Sequence, residues 1–133
     1  MTTSSLPKAL NLTAWVAQLL AAGIFVMTSL AKLTASTDAV ALFTTLGVEP
    51  WGRVALGILE LLTGLLLVWP RTAPLGGLIA LGIMMGAIAT HLLKIGVLYN
   101  GDPSLFIMAL VEFAAAAVVV YLRRGQLALR DHQ

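Results

Sequence analysis

The chain has no cysteine. That excludes a disulfide, a thiolate nucleophile, an iron–sulfur cluster and any Cys-ligated zinc site. Redox chemistry by this chain alone would therefore need a bound organic cofactor. Charge is scarce as well. Only 11% of the 133 residues are charged, where a soluble domain carries about 25%. Too few polar side chains remain to clothe a water-facing sphere, so the bilayer is the expected solvent. The formal charge of +2 is small and its basic residues are scattered. Nucleic acid, which requires a dense cationic face, is thus not an expected partner. The chain also lacks a phosphate-cradling loop, a nucleophile elbow and a dinucleotide fingerprint.

What fills the sequence is apolar. Hydrophobic residues make up 59%, and the mean hydropathy is +0.96. A membrane-spanning helix needs about 20 mainly apolar residues. Four runs meet that length: 9–31, 51–69, 74–95 and 103–122. Pro74 and Pro103 suit first helical turns, where a missing N–H is not needed. Trp15, Trp51, Trp69, Tyr99 and Tyr121 fall near the run ends, where aromatic rings favour the membrane interface. The first run is longer than the ~7–15-residue core of a signal peptide. Only Lys8 precedes it, so a retained helix is expected despite the cleavage-like Ser29-Leu30-Ala31. Residues 1–133 then form a single transmembrane domain.

Between the first two runs, Ser36 can cap a short helix that Gly47 ends. Ala39, Val40, Phe43 and Leu46 share one face of it, as in an interfacial helix lying over one mouth of a bundle. The expected fold is an all-α membrane protein, a four-transmembrane-helix bundle with this short interfacial helix between helices 1 and 2. Four spans put both termini on one side, with Lys8, Arg71, Arg123, Arg124 and Arg130; the other side holds Lys32, Arg53 and Lys94. The basic excess places both termini of this multi-pass protein in the cytoplasm. The glycines of Gly82-Ile-Met-Met-Gly86 read as a surface for close helix packing.

Ionisable groups inside a span are expensive, by ~2.5–3.5 kcal/mol at a helix centre on insertion scales. Glu60 and Glu112 each lie about nine residues into their helix, roughly 13 Å at 1.5 Å per residue. His91 lies nearer the end remote from the termini, where Lys32 and Arg53 also stand. Arg53, Gly57, Glu60 and Gly64 follow one helical stripe, as do Thr28 with Lys32 and Met84 with His91. All four helices can therefore aim a polar group at one space. Each group also has a plain structural role open to it. Lys32 and Arg53 can snorkel to headgroups; Glu60 can pair with His91, Lys32 or Arg53; Glu112 can tie helices together. The candidate acid/base pair is Glu60 and His91, with Lys32, Arg53, Glu112, Thr28 and Met84 as ligand-binding residues. No Glu-x-x-His pair is present, so a metal site is not expected.

Several ordered segments resemble the DoxX-like family of small bacterial integral membrane proteins. They are FVMTSLAKL (25–33), LGVEPWGR (46–53), GILELLTG (57–64), PRTAPLGG (70–77) and MGAIATH (85–91), with Ser29 where the family usually has glycine. Relatives include the small membrane subunit of a thiosulfate:quinone oxidoreductase. The resemblance implies a four-helix membrane fold in the bacterial inner membrane and a redox-linked role, and supplies no settled catalytic set. Three functions stay open. The first is a redox-linked subunit binding a quinone or similar small apolar ligand, with a redox partner protein or a second copy of the chain. The second is a cofactor-free acid–base enzyme on a small apolar substrate. The third is a small-molecule transporter or scaffold.

Overall fold

A computed structural model describes residues 6–131, with side chains as far as residue 125; the first five residues and the Arg130 side chain lie outside those limits. Among the described residues the regular structure is helical. The helices are α1 (Lys8–Leu33), α2 (Thr37–Thr45), α3 (Trp51–Val68), α4 (Ala73–Thr90) and α5 (Ser104–Asp131), with a π-helical turn at His91–Ile95. Four helices are long and apolar enough to cross a membrane: α1, α3, α4 with its π turn, and α5. They run up, down, up and down, so both chain ends share one side of the bundle. The short α2 lies on the opposite side. Ser36 caps it, its Oγ accepting from the Ala39 N–H at 3.2 Å. Phe43 is buried and Ala39, Val40 and Leu46 are half-buried, while Ala41 and Thr44 on the other face are exposed.

The interior is built from small residues. Ala14, Ala17, Ala21, Ala22, Ala73, Ala80, Ala109, Ala115 and Ala116 are buried, and the large residues Leu12, Val16, Leu19, Leu62 and Leu65 face outward. Lipid tails are as apolar as leucine, so burying leucine drives no association in a bilayer. Close van der Waals approach does, and small residues permit it. At the α4–α5 crossing, a Cβ on Gly77 would stand 2.7 Å from Val120 Cγ2 and 3.2 Å from the Ala116 carbonyl oxygen. At the α1–α3 crossing, a Cβ on Gly64 would meet Val26 Cγ2 at 3.2 Å. Ser29 takes its place in this packing fully buried, its hydroxyl donating to the Val26 carbonyl at 2.8 Å.

The expectation for Gly82 and Gly86 is corrected. Neither has any atom within 4 Å of where its Cβ would be, and both are exposed. The close contact of α4 with α3 lies one end further on, where a Cβ on Gly76 would touch Leu66 Cβ at 3.0 Å and Leu67 Cγ at 3.1 Å. Thr72 holds that end, donating its hydroxyl to the Leu66 carbonyl at 2.6 Å. The two helices are therefore clamped on the side of the termini and part toward the other side. The third span also ends differently from a plain α-helix. Its last turn widens into a π turn, where the Gly96 N–H donates to the His91 carbonyl at 2.5 Å. Such turns recur at functional sites.

A polar network seals the side of the termini. Arg123 is 6% exposed; it donates from Nε to Gln18 Oε1 at 2.7 Å and from Nη1 to Asn11 Oδ1 at 2.9 Å. Gln18 in turn donates to the Leu67 carbonyl at 3.0 Å. The guanidinium also lies over the Trp15 ring, 5.8 Å from its centre.

Candidate functional site: an intramembrane cavity

Where α3 and α4 part, the bundle encloses a cavity of about 690 Å³. Residues from all five helices line it. Its apolar walls include Ile24 and Phe25 of α1, Leu59 of α3, and Ile83 and Met84 of α4. Leu42 and Phe43 of α2 close its end remote from the termini. Leu59, Gly82 and Gly86 both line the cavity and are exposed, so it opens laterally between α3 and α4 toward the lipid. Beside α2 lies a second, smaller pocket of about 500 Å³ that carries Asp38, Asn100 and Asp102 and shares Thr28, Lys32, Leu42, Phe43 and Leu105 with the first.

The polar groups fall into two sets. The first is an ion pair with a supporting hydroxyl. Lys32 Nζ donates to Glu60 Oε1 at 3.0 Å, and Thr28 Oγ1 donates to the same oxygen at 2.9 Å. The Glu60 side chain is 4% exposed and that of Lys32 14%. Thr28 and Lys32 stand one turn apart on α1, which lets them converge on one carboxylate. Of the partners open to Glu60 in the sequence, Lys32 is the one that reaches it.

The second set has polar atoms left over. Glu112 is fully buried, and neither of its carboxyl oxygens has a hydrogen-bond partner. His91, at the start of the π turn, donates from Nδ1 to the Ala87 carbonyl at 3.0 Å, one turn back. A carbonyl can only accept, so Nδ1 must carry the proton. Nε2 on the far edge is buried and has no partner. Phe106 of α5 meets the imidazole edge-on, with ring centres 5.4 Å apart. Buried polar groups are ordinarily satisfied; among the described residues four such atoms have no partner, three of them on these two residues and the fourth, Arg123 Nη2, in the network at the side of the termini.

The structure thus gathers Thr28, Lys32, Glu60, Met84, His91 and Glu112 around one cavity. It does not bring Arg53 there. Arg53 Nε donates to Glu49 at 2.8 and 3.1 Å, and its Nη1 donates to the Lys32 carbonyl. It stands behind the cavity wall and ties the start of α3 to the end of α1. The spacing that put Arg53 on the Glu60 stripe was sound, since Arg53, Gly57, Glu60 and Gly64 are all buried. The side chain turns back toward Glu49 within its own chain segment. The Gln18–Arg123 network is a further polar cluster that the spacing of charges does not reveal. A glutamine midway along an apolar helix was the available signal, because such a side chain needs a partner inside the bundle.

Outside the spans, Asp102 accepts from the Ser104 hydroxyl at 2.6 Å and from the Ser104 N–H at 2.9 Å. These bonds, the hydroxyl's first, hold its carboxyl below the usual value of 3.8 and start α5.

The arrangement suits an amphipathic guest. An apolar body can lie in the lipid-open part of the cavity, and a polar head can satisfy Glu112 and His91 Nε2. The model of the DoxX-like family matches residues 16–120, a span that takes in every residue of the cavity. The chain belongs to this family. No curated protein and no solved structure matches it.

Proposed function

We propose that this DoxX-like membrane protein binds a lipid-soluble quinone by its headgroup and serves as the redox-linked membrane subunit of an electron-transfer assembly. The supporting observation is the set of buried, unpartnered polar atoms, Glu112 Oε1 and Oε2 and His91 Nε2, on residues that line a mainly apolar cavity open to the lipid. The residues present fit such a group. Ring and tail need apolar walls, which Phe25, Ile83 and Met84 supply. The ring oxygens need polar partners: a protonated Glu112 can donate to one, and His91 Nε2 can accept from the other once it is a hydroxyl. When bound, a quinone provides reversible two-electron, two-proton chemistry that the side chains of this chain lack.

The chain's own residues have distinct tasks in this reading. Glu112 and His91 orient the head and exchange protons with it. The Lys32–Glu60 pair sets a fixed dipole at the cavity wall and anchors α1 to α3. Met84 shapes the wall, and Leu42 and Phe43 keep water out. The basic excess at the termini further supports a cytoplasmic location for both ends in a bacterial inner membrane.

The test is direct. Protein purified in mild detergent should carry extractable quinone, or quench its tryptophan fluorescence when a short-chain quinone is added. Glu112→Leu should abolish that binding. Clean protein that binds no quinone would overturn the assignment. Glu60 is less available for acid–base work than its place in the sequence suggests, because Lys32 and Thr28 already engage it. An acid–base enzyme would draw on Glu112 and His91 instead.

A further inference from the structure

Of the unpartnered atoms beside the cavity, His91 Nε2 has a fixed role. His91 Nδ1 donates to the Ala87 carbonyl. In the neutral imidazole this leaves Nε2 with a lone pair and no hydrogen, an acceptor only. Glu112 as a carboxylate offers two further acceptors, and as an acid it still offers a carbonyl oxygen. Thr28 donates to Glu60 Oε1, and Lys32 directs one of its three N–H groups to the same oxygen. A guest that satisfies His91 Nε2 must bring a hydrogen-bond donor of its own.

We infer that the cavity selects the hydroquinone, the form with two ring hydroxyls, over the quinone, whose two ring oxygens can only accept. The inference rests on the quinone assignment above and sharpens it to one oxidation state. A hydroxyl directed at His91 Nε2 forms a hydrogen bond there. A carbonyl in the same position sets lone pair against lone pair. The opposite ring position distinguishes less, because a protonated Glu112 can donate to a carbonyl and a carboxylate can accept from a hydroxyl. Selection therefore falls chiefly on His91. Sites built to bond a ligand hydroxyl reject the analogue without it by large factors, up to about 10⁴ where no other group compensates. One discriminating position of this kind calls for a preference of about tenfold or more.

The probes are decylubiquinol and decylubiquinone, titrated into the detergent-solubilised full chain under argon with excess reductant for the diol, with tryptophan fluorescence as the readout. The expected result is at least about tenfold tighter binding of the diol. His91→Gln should bring the ratio close to one, because a terminal amide can rotate to donate or accept, while still binding one or both probes. His91→Phe, which keeps a ring beside Phe106, should likewise lose the preference, so a fold defect in one variant does not decide the matter. Equal or tighter binding of the dione to the unmodified chain would overturn the inference and leave the quinone assignment standing. A preference unchanged in both variants would also overturn it. Binding of neither probe would overturn the assignment itself.

Discussion

Removing the carboxylate of Glu60 should destabilise the bundle, and removing Lys32 with it should restore most of the loss. The attraction of two unit charges at the observed 3.0 Å is about 5 kcal/mol at an effective dielectric constant of 20. Desolvation offsets most of it, so the pair as a whole contributes little beyond what two apolar residues would. Breaking it is another matter. Glu60→Leu leaves the Lys32 ammonium without its counter-ion near a helix end, where a 14% exposed side chain can partly snorkel; about 2–3 kcal/mol should be lost. Lys32→Met leaves the deeper carboxylate with Thr28 as its remaining donor, and about 3–5 kcal/mol should be lost. Lys32→Met/Glu60→Leu should lie within about 1 kcal/mol of the unmodified chain, which makes the coupling at least about 4 kcal/mol. The measurement is reversible unfolding in mixed micelles with rising dodecyl sulfate, followed by circular dichroism. Additive losses, or single changes each below about 1 kcal/mol, would refute the buried pair.

Glu112→Leu should leave stability unchanged or raise it by about 1 kcal/mol in the same unfolding assay, because it removes two unsatisfied buried oxygens, while it abolishes quinone binding; a large loss of stability would mean that Glu112 ties helices together. Gly82→Leu and Gly86→Leu should fold normally, since nothing stands near either Cβ, but should exclude ligand by filling the lateral opening. Gly77→Ala, which forces a contact at 2.7 Å, should instead cost about 1–3 kcal/mol. Asp102 is held below its usual pKa by Ser104, so its contribution is present above pH ~4 and is lost as the pH falls through the folded-state value. The thermal midpoint should therefore drop on acidification below pH ~4, and Ser104→Ala should shrink that drop.

Much of this architecture was written in hydropathy and spacing. Four runs of spanning length gave the four long helices, and Ser36 marked the start of α2. The stripe through Gly57, Glu60 and Gly64 faced inward as its period required. The convergence of Lys32, Thr28 and Glu60 was legible because i, i+4 spacing fixes which side chains share a face. Other features depend on where helices diverge, and a one-dimensional pattern does not record that. Gly82 and Gly86 have the spacing of a packing motif, yet they line an opening because α4 is clamped at Gly76 instead. Arg53 lies on the right stripe, but its long side chain reaches back to Glu49. Gln18 and Arg123 stand 105 residues apart in sequence, and no local pattern pairs them.

The joint between α3 and α4 makes the molecule resemble a clothes-peg. Its spring end is the seam of Gly76, Leu66 and Thr72, and its jaws are the ends near His91 and Glu60. Leverage follows from length. Over the 18 residues of α4, about 27 Å at 1.5 Å per residue, a pivot of about 5° at the seam moves the jaw by about 2 Å. The width of guest that the cavity admits is thus governed at the opposite face of the membrane, by residues that never touch it.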